Sequence, residues 1–418
     1  MFSSCRRGFA GFNRWLAAKP AIFLILALAF AIPLHAQQRT YVFSGSTNFV
    51  TGSTDNLTTS IVGQPLGRTP LKFFYSAYPS ITMTSTGARS ALNASYTFGI
   101  DRTHTSLKAT SQSHAVSVGF SRPLSPRWNI NLSESFEQTA DATTFNALSG
   151  VTPAPQNAPF LFYPVAVRLS ARTNAVNIGG GYTLSERSSF SMSASHNLRN
   201  YGSDSSFRGS LSDQHSFSGN VTYARKTGPN ETWSVGYSGT RSSFSDFENA
   251  SSHAARMGYS NQIAPDLTFQ LTAGASRVKS LASAGSYTGY NSSAGLQKTL
   301  FANSSLSLNY SQNSGASSGL GSISDTRTAG VSLRHDFSAS SVAVNLALFD
   351  ADGTLNNPHG TRGISATASI AAPVTRKLSV VGGGAYQRYT GSSVFGFTQK
   401  RLFVSLRYIE PNLWRFSR

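Results

Sequence analysis

The sequence predicts an all-β fold: a transmembrane antiparallel up-and-down β-barrel of 18 strands, with 16 strands as the alternative. Apolar and polar residues alternate with a period of two from Val176 to Leu184, and again from Phe190 to Leu198 after a short polar break. An arm of about 11 residues, tilted by about 40°, spans roughly 28 Å, the height of the apolar band of a membrane barrel. Charged residues make up only 12% of the chain, about half of their usual share in soluble domains. Long hairpins with so little charge indicate a membrane protein.

Residues 1–36 are predicted to be a cleaved signal peptide. An apolar run from Ala21 to Leu34 is followed by Leu34-His35-Ala36, which fits a cleavage site, and the run is too short to span a bilayer comfortably as a helix. The only cysteine, Cys5, lies in this leader. We therefore expect the mature chain to contain no disulfide, thiolate metal site or cysteine nucleophile. The basic residues before the apolar run are Arg6, Arg7, Arg14 and Lys19.

The rest of the chain divides into three parts. Residues 37–89 form an N-terminal segment with two weaker candidate strands, Thr40 to Val50 and Lys72 to Ser85. Residues 90–409 are assigned to the regular barrel of 16 strands. Because bacterial barrels usually have an even number of strands, the two weaker candidates are either both present, which gives 18, or both absent, which leaves 16. Residues 410–418 are expected to be a short periplasmic tail. The regular arms run approximately over 90–100, 114–121, 128–138, 176–184, 190–198, 215–225, 231–242, 254–263, 267–278, 287–297, 302–312, 326–337, 341–350, 362–372, 377–389 and 398–409.

Short and long connections alternate along this series. The short connections lie near Pro123, Ser185, Lys226, Ala264, Phe301, Ser338 and Pro373. The long ones span 102–113, 140–172, 200–214, 243–253, 279–286, 313–325, 351–361 and 390–397. In membrane barrels the short turns are periplasmic and the long loops external. Both termini are therefore expected in the periplasm.

This pattern resembles the bacterial outer-membrane β-barrels of porin size, over roughly Ser90 to Ile409. Leu402, Val404 and Leu406 alternate in the last strand, as in the closing strands that the barrel assembly machinery recognises, although this chain continues to Arg418 instead of ending on Phe. The resemblance implies the outer membrane of a Gram-negative bacterium, insertion by that machinery, and transport as the function. It implies no cofactor.

The predicted function is a porin-like channel for passive diffusion of small hydrophilic solutes. The alternative is a non-conducting structural or surface-interaction barrel that binds lipopolysaccharide or another ligand. The third possibility is a barrel-embedded lipid hydrolase with a Ser, His and Asn group. No enzyme is predicted, because the chain has no HExxH motif, no P-loop and no paired Cys or His spacing.

The charge of the chain is +18, of which the leader contributes +4, leaving +14. An exported chain rarely meets nucleic acid, so we expect the phosphates of outer-membrane lipid and lipopolysaccharide as partners. Alternate residues of a strand face opposite sides of the wall, so residues whose numbers share a parity within one strand share a face. This parity places two sets of arginines on opposite sides of the wall. The expected lumen cations are Arg256, Arg334, Arg401 and Arg407. The expected external rim cations, for lipid A phosphates, are Arg172, Arg241, Arg277, Arg327, Arg362 and Arg388. The alternative is that these side chains extend into water at the membrane surface without binding phosphate.

Three further features of the sequence concern the loops, the glycines and the aromatic residues. Loop 140–172 carries Phe160, Phe162 and Tyr163 and is expected to fold into the lumen as a constriction or to pack on the barrel mouth, because apolar loops are unfavourable in water. The clusters 179–181 and 382–384 place glycine inside strands, where it permits curvature or the close approach of a side chain.

An outward aromatic girdle near the short turns is predicted from Trp128, Tyr182, Tyr223, Trp233, Tyr310 and Tyr408.

Polar motifs inside this pattern are predicted to be ordinary wall or loop positions. His196 and His335 share the lipid-facing parity of their strands, which suits the barrel rim better than a ligand site. Asp350-Ala351-Asp352-Gly353 lacks the remaining ligands of a calcium loop. No metal site is expected.

Overall fold

The computed structural model describes residues 39–54, 72–103, 109–139, 171–201, 213–245, 249–280, 285–316, 323–353, 361–391 and 397–417. All regular elements in these ranges are β-strands. The strands are β1 (Thr40–Thr54), β2 (Lys72–Gly87), β3 (Ser90–Thr103), β4 (Ala109–Pro123), β5 (Trp128–Thr139), β6 (Ala171–Ser185), β7 (Ser188–Tyr201), β8 (Gln214–Lys226), β9 (Glu231–Phe244), β10 (Ala250–Ala264), β11 (Leu267–Ser280), β12 (Ser286–Phe301), β13 (Ser304–Ala316), β14 (Ile323–Asp336), β15 (Ser341–Gly353), β16 (Thr361–Pro373), β17 (Leu378–Gly391) and β18 (Phe397–Ser417).

The 18 strands form one closed sheet. Each strand pairs antiparallel with its neighbours in sequence, and β1 pairs with both β2 and β18, so the sheet has no free edge. Closure satisfies the backbone hydrogen bonds of every strand within the wall, which a membrane interior requires because it offers no water. The predicted fold, with 18 rather than 16 strands, is confirmed.

The two weak N-terminal candidates are full strands of the wall. β1 and β2 pair without interruption from Thr40–Thr86 to Thr54–Lys72. Their alternation is hard to recognise in the sequence because the outward positions of β1 include the polar or small residues Gly45 and Thr47. Residues 40–54 and 72–87 therefore belong to the barrel, and its boundary lies well before residue 90.

The C-terminal end also extends the barrel beyond its predicted boundary. β18 runs to Ser417, so residues 410–417 are part of the wall instead of a periplasmic tail. The register between β1 and β18 shifts between Phe43 and Gly45, and the extra residues on β18 interrupt the alternation after Ile409. Beyond this bulge Phe416 stacks on Tyr41 with ring centroids 4.9 Å apart.

The two faces of the wall differ in chemistry. Large apolar side chains point outward and are exposed in the isolated barrel, as Phe217 (59% exposed) and Leu402 (65%) illustrate. The opposite parity carries mostly Ser, Thr, Asn and Gly, as in the lumen-facing pair of Gly179 with Ser193. An exposed apolar band around a closed barrel is a surface suited to lipid.

The ends of the barrel are distinguished here as the turn end and the loop end. The turn end holds the start of β1, the end of β18 and the short connections, such as the turn closed by the Leu124 N–H donating to the Trp128 carbonyl at 2.8 Å. The predicted constriction residues Phe160, Phe162 and Tyr163, and the predicted signal peptide, lie outside the described residues. No helix long and apolar enough to cross a membrane occurs among the described residues.

The strands extend further toward the loop end than the alternation predicts. β10 begins at Ala250 instead of residue 254, and β14 at Ile323 instead of residue 326. The loop-end residues on both faces meet a polar environment, so they do not need to alternate. Backbone hydrogen bonding nevertheless continues there, as in the pair of Ala250 with Ser280.

Candidate functional site: the barrel lumen

The lumen wall contains a repeated pairing of asparagine with glycine. Asn129 lies opposite Gly181 and Asn131 opposite Gly179, on the lumen-facing parity of β5 and β6. A Cβ at Gly181 would lie 2.8 Å from Asn129 Oδ1, so each amide occupies the space that a glycine leaves free. The same arrangement places Asn309 opposite Gly330. These glycines let amide groups lie flat along the wall, which keeps the lumen polar and wide.

Gly383 allows the close approach of a large side chain, which is one of the two roles predicted for glycines inside strands. Phe403 points into the lumen from β18 and is paired with Gly52 on β1 and with Gly383 on β17. A Cβ on Gly383 would lie 2.8 Å from Phe403 Cζ. Phe403 packs against the buried cluster of Val50, Phe74 and Tyr78. This cluster is an apolar patch on the lumen side of the β1–β18 seam.

The four predicted lumen arginines all lie on the parity opposite to the exposed apolar residues. Arg256 faces Gly274 and donates to Ser238 Oγ at 3.3 Å. Arg401 lies with its guanidinium carbon 5.6 Å from the centre of the Phe74 ring. Arg407 pairs with Asn48 and is exposed to the lumen.

The fourth, Arg334, differs because it has an acidic neighbour two residues along its strand. Its Nη2 lies 2.9 Å from Asp336 Oδ1, and both side chains are about half exposed. The carboxylate partly offsets the charge of Arg334. The prediction of a lumen cation at this position therefore omitted a partner that shares its parity.

Other ionisable groups on the lumen face were not singled out from the sequence. Arg199 pairs with the lumen-facing Thr173, and Arg415 with the lumen-facing Val42. Asp101 is buried and accepts a hydrogen bond from the Tyr78 hydroxyl at 2.5 Å. Parity within each strand would have located Arg199, whereas Arg415 lies beyond the bulge that breaks the alternation. Within the described strands, arginines outnumber acids on the lumen face.

The six predicted rim arginines lie on the outward parity at the loop end. Arg172, Arg241 and Arg277 are exposed there, and Arg388 is also exposed. Among the described residues no carboxylate forms an ion pair with these four. Two further outward cations, Arg102 and Lys279, share this end of the wall, as the pairing of Arg102 with the outward Tyr75 shows.

The remaining two rim arginines share acidic partners. Arg362 Nε lies 3.2 Å from Asp350 Oδ1, and Arg327 lies 4.0 Å from Asp350 and 3.9 Å from Asp352. Asp350 and Asp352 belong to the motif that resembles a fragment of a calcium loop, and both carboxylates contact arginines. No group of three or more potential metal-binding side chains occurs in the part of the chain that the structure describes.

The predicted aromatic girdle is present at the turn end, with one misplaced member. Trp128 and Tyr182 form a pair with ring centroids 4.7 Å apart, and Trp233 forms a similar pair with Tyr259 at 4.7 Å. Tyr310 is outward but lies near the middle of β13, so its assignment to the turn end was wrong. Parity fixes the face of a residue, whereas its height depends on strand tilt.

The outward histidines bond to hydroxyl groups on neighbouring strands. His253 Nδ1 lies 2.6 Å from the Tyr237 hydroxyl, and His335 Nδ1 lies 2.6 Å from Ser304 Oγ. His196 lies next to His215, with ring centroids 6.5 Å apart. Among the described residues no carboxylate or amide bonds to His335 to complete a hydrolase triad. These contacts supply polar partners for imidazoles on an apolar face.

Comparison with known proteins gives similarity of structure alone. No family model matches the chain, and no curated protein matches it. The solved structure of OccAB4 from Acinetobacter baumannii is 9% identical, covers 92% of this chain and 99% of its own, and gives a TM-score of 0.47. OpdK from Pseudomonas aeruginosa with vanillate is 13% identical, with 89% and 98% covered and a TM-score of 0.49. The siderophore receptor PirA from Pseudomonas aeruginosa is 8% identical, with 88% and 80% covered and a TM-score of 0.42.

At these identities, and with TM-scores below 0.5, the likenesses carry no argument about what this chain does. The wall of the barrel is closed by β1 and β18, and it is apolar on its outer face and polar on its inner face. The chain folds as a closed β-barrel of 18 strands with an apolar outer face, the architecture of barrels that cross membranes.

Proposed function

We propose that the protein is an outer-membrane channel for passive diffusion of small hydrophilic solutes, with a preference for anions. The observation that carries this proposal is the lumen face, which combines small polar side chains with arginines such as Arg256 and Arg407. Eighteen strands spaced about 4.8 Å apart and tilted by about 40° enclose a cylinder roughly 36 Å across between backbones. A cylinder of this width accommodates an aqueous channel.

Planar bilayers test conduction and selectivity together. Purified protein should insert with ohmic current steps, and in a potassium chloride gradient the reversal potential should have the sign of chloride preference. Replacing Arg256, Arg334, Arg401 and Arg407 by Gln should reduce this preference, with the smallest contribution from Arg334 because Asp336 already offsets its charge. Silence across many insertions would favour the non-conducting alternative.

We also propose that the rim cations hold lipid A phosphates. A guanidinium at the interface can pair with phosphate through two hydrogen bonds, and the cost of an outward arginine falls toward zero there. Replacing Arg172, Arg241, Arg277, Arg327, Arg362 and Arg388 by Gln should lower lipopolysaccharide co-purification without changing ion selectivity. The lumen quadruple variant is the matched control and should show the reverse. Equal changes in selectivity from both sets would contradict the assignment of faces.

The orientation and the assembly route complete the proposal. We place the turn end and both termini in the periplasm, with insertion by the barrel assembly machinery. An epitope tag fused after Arg418 should be protected from antibody in intact cells and accessible after the outer membrane is permeabilised. Labelling of intact cells would reverse the orientation.

The apolar loop 140–172 is proposed as a constriction, with Phe160, Phe162 and Tyr163 in the lumen. Deletion of residues 152–163 should raise single-channel conductance. An unchanged conductance would place the loop outside the ion path.

A further inference from the structure

The hairpin formed by β13 and β14 separates from its neighbour β12 near the loop end. Pairing between β12 and β13 stops at Ser292 with Gln312. Both strands continue beyond that point, β12 back to Ser286 and β13 on to Ala316. β13 stays paired with β14 as far as Ala316 with Ile323. The end of this hairpin therefore separates from β12, while β14 stays paired with β15 as far as Ser324 with Gly353.

The separated hairpin folds inward over the lumen face of β12. Ser314 donates from its backbone N–H to Asn291 Oδ1 at 2.9 Å, and its hydroxyl oxygen lies 3.3 Å from the Tyr290 carbonyl oxygen. A Cβ on the lumen-facing Gly289 would collide with the Ser314 side chain. β13 also contacts β11 and β10, although β12 separates it from β11, and both β11 and β12 separate it from β10. Such contacts require a path across the inside of the barrel.

A buried polar contact holds this hairpin in place. The Tyr287 hydroxyl donates to Asp325 Oδ2 at 2.8 Å, and the Ser314 hydroxyl donates to Asp325 Oδ1. Ser314 is 5% exposed and Asp325 8% exposed. Tyr287 also packs against Val278 and Ala250 on the lumen face of β11 and β10. Because these buried polar groups are paired, the contact is a built anchor between hairpin and wall.

We propose that the ends of β13 and β14, residues 313–316 and 323–326, form an inward hairpin that narrows the channel and is latched to the wall through Asp325. This inference rests on the proposed channel function. Ser314 and Asp325 face the wall, so the opposite parity, Asn313 and Thr326, faces the solute path. The two strands of this hairpin, together roughly 10 Å wide and 10 Å thick, occupy about a fifth of a lumen about 26 Å across after side chains. β15 continues beside β14 as far as Gly353 and joins the hairpin to the wall on that side.

A pair of glycine variants on β12 tests the narrowing. Gly289→Val fills the space that the Ser314 side chain occupies and should push the hairpin off the wall. Gly295→Val is the matched control, because it lies on the same strand and lumen-facing parity with no atom within 4 Å of its Cβ. We expect single-channel conductance to change by about a fifth or more, with added current noise, in Gly289→Val. Gly295→Val should behave as the wild type.

A second variant tests the latch without adding bulk. The double variant Tyr287→Phe, Asp325→Asn removes the phenol and carboxylate while keeping side-chain volume, and should produce open-channel flicker absent from the wild type. This variant also decides the question if Gly289→Val fails to form a heat-modifiable barrel. A wild-type channel that is silent would refute the channel function itself. The inward hairpin would be overturned by a different result, in which the wild type conducts and the folded latch variant has the same conductance and noise. Gly289→Val, where it folds, would then also match the wild type.

Discussion

Gly52 is a sensitive position for barrel closure, because it lies on β1 opposite Phe403 in the seam with β18. A Cβ at this position would collide with the Leu402 carbonyl and would lie 2.9 Å from both Phe403 Cα and Phe74 Cε1. Two of these three obstacles are backbone atoms of the partner strand, which cannot rotate away as a side chain can. We predict that Gly52→Ala strains the seam that makes the sheet continuous.

The magnitude follows from two opposing effects. Overpacking at a filled site costs about 1–3 kcal/mol, and the backbone contacts at Gly52 place the cost near the upper limit. Replacing glycine by alanine also reduces the entropy of the unfolded chain, which stabilises by about 0.4–1 kcal/mol. The net loss is about 2 kcal/mol. Gly119→Ala is the matched control, because this lumen-facing glycine on β4 has no atom within 4 Å of its Cβ, so only the entropic gain remains.

Guanidinium unfolding of the protein in lipid vesicles measures both variants. Outward tryptophans Trp128, Trp233 and Trp414 report the loss of the lipid environment through their fluorescence. Gly52→Ala should unfold at a lower denaturant concentration than the wild type, and Gly119→Ala at the same or a slightly higher one. Equal midpoints for the two variants would refute the argument that the seam is closely packed at Gly52.

Three other predictions concern the ends and faces of the wall. Truncation after Ile409 removes the β18 partners of Thr40 to Phe43 and should abolish the heat-modifiable folded band on gels. Removal of Arg418 alone should leave this band unchanged. A folded band from the longer truncation would show that residues 410–417 are not needed to close the barrel. Glu134 is 3% exposed and accepts a hydrogen bond from Asn174 at 3.2 Å through Oε1, while its Oε2 is buried with no hydrogen-bond partner among the described residues. Glu134→Leu should raise the free energy of unfolding in vesicles by about 1 kcal/mol, because a buried acceptor without a partner is costly, and a decrease would contradict this reasoning. Asp350→Asn should release Arg327 and Arg362 from their shared carboxylate and increase lipopolysaccharide co-purification, while Asp336→Asn in the lumen should leave it unchanged.

The sequence by itself determined the strand class, the order of the hairpins and the face of nearly every side chain. These properties are local, because a strand turns its side chains to alternate faces and a short polar turn must separate two antiparallel arms. Alternation in Val176 and Ile178 was therefore enough to orient Arg172, and Leu271 and Ala273 oriented Arg277. The requirement for an even count meant that the two weak N-terminal candidates were accepted or rejected together, which left 16 or 18 strands.

Only the tertiary structure decided which segments close the barrel and which leave the wall. Residues 410–417 join β18 because β1 offers hydrogen-bonding partners as far as Thr40, across a bulge that hides the alternation. The inward position of Ser314 and Asp325 depends on contacts with β12, β11 and β10, whereas their parity alone would have placed them outward. The sharing of Asp350 between Arg327 and Arg362 likewise depends on register across three strands. Period-two alternation records the face a residue takes on its own strand, and it carries no information about contacts between strands that are distant in sequence.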